Sequence, residues 1–331
     1  MLLSICIPSY NRFEKLKATI NQILLCKSND FEILVIDNCS PENINNYLKD
    51  INDSRLRIIN RDKPIDGKLN VSLSVTYSDA IFSMILLDKD IIDGKYLASF
   101  ISTLKKNDYV TGGFCAQNKK SGKMGNARLE DSIEKVGYMC RHPSGYFFKN
   151  EIIKKMYIEE KSKFFSNPFS PDILFTECVA SGKVLYYDSP LILLETREEC
   201  KNCKSITYID ENKVYFSPIQ RFSEMNIFYS HLKQLRLDAI TYKKMVNRLY
   251  LSTLNQVTIE YKGIMSDDVA CAHHAIKKRK ITYVDFWDNY FRLNKCIKSF
   301  SLPFYRQLYL YLIGSVKLVY IIIKDVVFHV L

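Results

Sequence analysis

Over the first hundred residues, short unbroken apolar runs alternate with stretches whose apolar positions recur at helical spacing. LSICIP (3–8), FEILVID (31–37), RLRIIN (55–60) and IFSMILL (81–87) read as four buried strands. Between the first two, a helical pattern headed by Asn11 places Leu16, Ile20, Ile23 and Leu24 on one face, and Pro41-Glu42 opens a second helical stretch through Leu48. Strands alternating with helices predict βαβ units with right-handed crossovers around a mainly parallel, Rossmann-like sheet. Further on, YVTGGF (109–114) predicts another strand, Lys119 to Arg128 a polar loop, and Asn150 the start of a helix.

In sheets of this kind ligands bind at the carboxyl ends of the strands. Three polar segments fall there: Pro8-Ser9-Tyr10-Asn11, Asp37-Asn38 and Asp88-Lys89-Asp90. A single Asp-x-Asp after a strand is an ordinary turn; three polar strand ends on one edge are harder to read as unrelated turns. An aromatic ring, hydrogen-bonding side chains and two carboxylates suit a base, a ribose and a divalent cation carrying a diphosphate, with Mg²⁺ or Mn²⁺ as the hard cation. The chain contains neither GxxxxGK[ST] nor GxGxxG, the rival phosphate-binding patterns.

Composition narrows the picture. With 331 residues, 47% hydrophobic and 25% charged, the chain has enough apolar material for one large or two ordinary domains. Its ten cysteines are scattered and Met1-Leu2-Leu3-Ser4 runs directly into a strand, which predicts a reduced, cytoplasmic protein. Cys200 and Cys203 have half of a zinc-ligand spacing, but no second pair follows. The net charge of +11 is unevenly spread: residues 1–100 hold 12 basic and 13 acidic side chains, residues 201–331 hold 20 and 10. A basic back half points to an anionic partner, nucleic acid or a phospholipid surface. No recognised nucleic-acid motif accompanies it, so a membrane surface is expected.

SICIPSYNR (4–12), EILVIDNCS (32–40) and ILLDKD (85–90) resemble the opening strand, the second-strand acidic motif and the Asp-x-Asp motif of family 2 glycosyltransferases. The resemblance covers about residues 1–195 and implies a GT-A fold over residues 1–200, followed by a helical, basic region over 201–331. It implies that Pro8 and Tyr10 lie against the nucleotide base, with Asn11 and Arg12 beside them. It also implies that Asp37 and Asn38 face base and ribose, and that Asp90, with Asp88 beside it, meets the metal and the diphosphate of a nucleotide-sugar donor. The family often has aspartate where this chain has Asn38. A carboxylate only accepts hydrogen bonds whereas an amide also donates, so UDP, dTDP, CDP and GDP sugars all stay open. The glycine-containing approach to the fourth strand is replaced by NVSLSVTYSDAIFS (70–83).

SNPFSPDILFTECVASGKVLYYDSPLIL (166–193) is similar to the stretch where these enzymes carry a catalytic carboxylate at the start of a glycine-terminated helix followed by a strand. Asp172 is the matching residue, with Glu177 as the fallback, although aspartate at a helix start is also favourable for capping. RHPSGYFFKNEIIKKM (141–156) falls beside the acceptor in the family, which makes His142 an acceptor-side candidate. If Asp172 is a general base, one displacement inverts the anomeric centre while the metal offsets charge on the departing diphosphate.

The last segment, PFYRQLYLYLIGSVKLVYIIIKDVVFHVL, is apolar but interrupted by Arg306, Lys317, Lys324 and Asp325. It reads as an interfacial or core helix rather than a membrane span. HHAIKKRK (273–280) adds a basic cluster. The expectation is an inverting, metal-dependent glycosyltransferase adding one sugar to a lipid-linked acceptor in surface-polysaccharide assembly, of O-antigen or capsule type, peripheral at the inner face of the cell membrane. The alternatives are a non-catalytic membrane-associated scaffold and a nucleotidyltransferase. The latter would need a glycine- and lysine-rich triphosphate loop that PSYNRFEKLK does not resemble.

Overall fold

The structure, a computed structural model, describes residues 1–118, 125–158, 164–165, 167, 169–202, 212 and 214–330. Cys203 of the cysteine pair and residues 119–124 of the polar loop lie outside them. The chain divides into two compact units, Met1–Glu195 and Thr196–Leu331.

The first unit runs β1 (Leu3–Ser9), α1 (Phe13–Leu24), β2 (Phe31–Asp37), α2 (Ile44–Tyr47), β3 (Leu56–Asn60), α3 (Gly67–Ser74), β4 (Phe82–Ile85), β5 (Ile91–Ile92), α4 (Gly94–Lys106), β6 (Gly112–Gln117), β7 (Ala127–Glu130), α5 (Ile133–Val136), β8 (Tyr146–Lys149), α6 (Asn150–Ile158), α7 (Ser170–Ser181) and β9 (Val184–Leu193). Its nine strands form one sheet in the order β3-β2-β1-β4-β8-β6-β9-β5, with β7 also on β9. β1 pairs in parallel with β2 and β4, and β2 with β3, as the alternating pattern predicts. Beyond β4 the sheet is mixed: β8 runs antiparallel to both β4 and β6, while β6 and β9 are parallel.

Leu16, Ile20 and Ile23 on one face of α1 and Leu97, Phe100, Ile101 and Leu104 on one face of α4 pack onto this sheet, where they join Ile5, Ile7, Ile33, Val35 and Phe147 in a single core. β6 approaches its neighbours so closely that a Cβ on Gly113 would lie 2.1 Å from the Leu185 carbonyl oxygen and 2.2 Å from the Phe147 ring. α7 is buried on nearly all sides, which suits its near-continuous apolar run and leaves a carboxylate on it in a dry environment.

The second unit is helical: α8 (Arg197–Asn202), α9 (Pro218–Leu232), α10 (Ala239–Asn255), α11 (Tyr261–Met265), α12 (Asp268–His273), α13 (Tyr283–Lys298) and α14 (Phe304–Val330), with a π-helical segment at Gln256–Glu260. Asp238 caps α10, and a reciprocal Thr282–Asp285 capping box starts α13. α10 packs against α9, α13 and α14. Where α14 crosses it, Gly314 is required, because a Cβ there would come within 2.1 Å of the Tyr250 hydroxyl. No helix is long and apolar enough to cross a membrane among the described residues.

Candidate active site

The carboxyl ends of β1 and β2 carry the first two predicted segments, each turned by a non-glycine residue in the left-handed region: Asn11 at φ 52° and Cys39 at φ 63°. Such backbone is uncommon and clusters at functional turns. Asp37 accepts from the Ser40 amide at 3.0 Å and from its hydroxyl at 2.5 Å, and the same hydroxyl accepts from the Asn11 amide at 2.9 Å. Asp37 therefore braces the two strand ends together.

Asn38 is buried, and its amide closes a two-way clamp, donating to the Ile65 carbonyl at 2.8 Å and accepting from the Ile65 amide at 3.0 Å. Asn38 thus pins the loop after β3 to β2 at the edge where a base contact is expected. Tyr10, half exposed at 50%, has an open ring face on this edge beside Pro8.

The two carboxylates of Asp88-Lys89-Asp90 face different neighbours. Asp88 accepts from the Ser9 hydroxyl at 3.2 Å and the Tyr10 amide at 3.4 Å, and lies 3.9 Å from the Arg12 guanidinium. Burial pushes its carboxyl above the usual range, against the pull of Arg12. Asp90 is fully buried and committed: its oxygens accept from the Ser144 hydroxyl at 2.5 Å and the Glu195 amide at 3.1 Å, with His142 Nδ1 at 3.6 Å. The two carboxylates expected to face one ion are thus held by different partners. Asp90 ends a turn that folds back under the sheet edge, so its carboxylate ties loops together.

Among the described residues no group of three or more His, Cys, Asp or Glu side chains is arranged to hold a metal ion. The chemistry fits a hard cation at Asp88, a desolvated carboxylate with one oxygen directed toward Arg12 and the strand edge.

Ser144 links this loop to the next part of the site. Its hydroxyl accepts from the Leu87 amide at 2.9 Å while donating to Asp90, and the Gly145 amide donates to the Ile85 carbonyl at 2.9 Å. His142 is therefore held beside Asp90, and burial keeps its imidazole below the usual range against the pull of that carboxylate. The next residue on, Tyr146, donates its hydroxyl to Asp172 Oδ1 at 2.6 Å. Asp172, in the first turn of α7 and 1% exposed, also accepts from the backbone amides of Arg141 and Cys140. Burial nevertheless raises its carboxyl to about 6. Glu177 lies five residues along α7, on a different face, and is buried.

The structure thus brings Asp88 together with Tyr10 and Arg12, joins Asp90 to His142, and sets Asp172 one short segment away. Sequence reading missed Ser144, Tyr146, Arg141 and Glu195. Tyr146 belongs to YFFK, whose run of three buried aromatics marks a strand once its neighbours are known, whereas nothing in a backbone amide such as that of Glu195 is visible in sequence.

Residues 4–166 match the profile described as "Glycosyl transferase family 2". Among curated proteins no sequence matches the chain. By fold it is similar to the crystal structure of S. aureus TarS, with a TM-score of 0.59 at 10% identity over 96% of this chain. This chain spans 53% of that one, about half of its length. The S. aureus TarS 1–349 fragment in complex with UDP-GlcNAc gives a TM-score of 0.55 at 12% identity, covering 90% of this chain and 92% of that one. The mannosyltransferase PcManGT from Pyrobaculum calidifontis, in complex with GDP-Man and Mn²⁺, gives 0.50 at 10% identity over 98% of this chain and 86% of its own. Residues 4–166, just under half of the chain, thus match a family 2 glycosyltransferase profile, and the mixed sheet flanked by helices is an α/β sheet of GT-A fold.

Proposed function

We propose that this chain is an inverting glycosyltransferase that moves one sugar from a nucleoside-diphosphate sugar to a hydroxyl of a lipid-linked saccharide acceptor in surface-polysaccharide assembly. The observation that carries the reading is the contrast between two carboxylates of the family 2 domain. Burial raises both, but Asp88 lies beside Arg12 at a strand end, which suits charge binding, while Asp172, held by Tyr146 and raised to about 6, suits proton acceptance. The solved relatives are complexes with UDP-GlcNAc and with GDP-Man and Mn²⁺, which supports a nucleotide sugar as donor.

In this mechanism Tyr10 stacks on the base, Arg12 meets the diphosphate and Asp88 would hold Mg²⁺ or Mn²⁺. When bound, the cation offsets charge on the leaving diphosphate. Asp172 takes the proton of the acceptor hydroxyl as that oxygen attacks the anomeric carbon from the face opposite the diphosphate. Tyr146 and the amides of Arg141 and Cys140 hold the carboxylate in place.

The lipid side of the reading is supported by α14. Its exposed described side chains are apolar or aromatic except Lys324, with Phe304 78% and Val316 72% exposed. The one acid of the helix, Asp325, is turned inward, where it takes Lys262 and the Tyr283 hydroxyl. Arg306, Lys317 and Lys324 remain as the helix's charges, a pattern that suits an anionic lipid surface at the inner face of the membrane.

A panel of nucleotide sugars screened for thermal stabilisation with and without Mn²⁺ tests the donor reading. One sugar nucleotide should raise the melting temperature well above its competitors; no stabilisation by any of them would count against it.

A further inference from the structure

We infer that Arg141 forms an oxyanion subsite beside Asp172, seating a phosphate or carboxylate group of the acceptor near the hydroxyl it presents. The acceptor assignment rests on the reading of Asp172 given above; the subsite itself stands on geometry.

The Arg141 guanidinium is walled by aromatic rings: its centre lies 5.0 Å from the Phe114 ring centroid, 5.1 Å from Tyr186 and 5.9 Å from Phe175. Its side chain makes one hydrogen bond, from Nη1 to the Tyr186 hydroxyl at 2.7 Å, and no ion pair among the described residues. A guanidinium has five donors, so most of its capacity is open. Asp172 is felt as a charge, and three of the roughly four lone-pair sites of its carboxylate accept from the Tyr146 hydroxyl and the amides of Arg141 and Cys140.

A second guanidinium crowds the same ring. Arg128 lies 4.3 Å from the Tyr186 centroid and pairs at 3.4 Å with Asp188, whereas the nearby charge of Asp172 acts on Arg141 without an ion pair among the described residues. A partly buried guanidinium with open donors favours an anion, and its planar fork matches the two oxygens of a carboxylate or phosphate. The segment that presents it is also strained, with Tyr138 at φ 48° and Cys140 at φ 49°. Phenyl and phenol walls lower the local dielectric, so one oxyanion placed there is held firmly.

The test titrates inorganic phosphate and acetate into the full chain and into Arg141→Gln, Arg141→Lys and the surface variant Lys105→Gln. Binding weakened roughly tenfold or more in Arg141→Gln, and retained in Lys105→Gln, is the expected result. Preference for phosphate over acetate, or the reverse, identifies which oxyanion the acceptor carries. A folded Arg141→Gln protein that binds both probes like the wild type overturns the subsite. Should Arg141→Gln fail to fold, Arg141→Lys decides, because it keeps the charge and loses the fork: weaker binding supports the subsite and unchanged binding overturns it. Hydrolysis of the nucleotide sugar without acceptor is measured separately; its absence from a protein that still binds phosphate at Arg141 removes the glycosyl-transfer reading and leaves the subsite standing.

Discussion

Tyr146 donates its hydroxyl to Asp172 across 2.6 Å, which joins an antiparallel strand to the first turn of the helix behind it. The bond favours the ionised carboxylate, and so do the amides of Arg141 and Cys140, yet burial outweighs all three and lifts Asp172 to about 6.

The pH dependence of transfer follows. A base works ionised, so kcat/KM should rise with pH through about 6 and level off above it. Tyr146→Phe removes one donor from the charged form and should move that rise to higher pH, whereas a merely structural loss would lower the plateau in place. Asp172→Asn should keep donor binding and lose roughly 10² to 10⁴ in turnover. For stability the sign is opposite to that of a salt-bridged acid: the folded state holds this proton more tightly, so the contribution is present below the usual carboxylate range and is lost as pH rises through about 6.

Asp88 and Asp90 should separate by phenotype. Asp90→Ala leaves the Ser144 hydroxyl and the Glu195 amide without their buried acceptor, a loss of about 1–3 kcal/mol for each stranded group, seen as a lower melting temperature. Asp88→Asn keeps an acceptor for Ser9 and Tyr10, so the melting temperature should hold while donor affinity falls. Equal melting temperatures for the two variants would refute the division.

Gly113 tests the close approach of β6. An alanine methyl there meets a backbone oxygen and a buried ring rather than a flexible side chain, so Gly113→Ala should lose more than about 3 kcal/mol in denaturant unfolding. A near-neutral result would mean that β6 does not sit in this register.

The two faces of α14 predict opposite outcomes for one substitution. Val316→Glu, on the exposed face, should release the protein from anionic vesicles without changing its melting temperature; Leu318→Glu, fully buried, should unfold the helical unit. Vesicle binding that survives Val316→Glu, or concentration-dependent self-association lost with it, would assign the face to a second copy of the chain instead.

Much of the first unit was legible because β1, β2 and β4 are buried on both faces and read as unbroken apolar runs: FEILVID coincides with β2, and the helix at Asn150 begins where expected. Strand ends then located the carboxylates. What stayed hidden depends on partners distant in sequence. YFFK looks like an aromatic turn until β4 and β6 are placed on either side of it. The hydrogen-bond partners of Asn38 and Asp90 were not legible, because a side-chain amide or carboxylate is equally able to face a ligand or a neighbouring backbone, and the positions of Ile65, Ser144 and Glu195 are set only by the fold.

The insertion of β8 between β4 and β6 also sets an order of events as the chain emerges. The parallel set β3-β2-β1-β4 can assemble once residue 85 is made, but Phe82 waits for Lys149, and Gly112 for both Phe148 and Val184. Loop closures of that length are slow, and until they occur β4 is an unpaired, apolar edge open to other chains. The segment that completes the sheet is the one that carries Ser144 and Tyr146, so an intermediate lacking it would hold the parallel set without the Tyr146–Asp172 bond. The same interval is when the chain most needs a holdase.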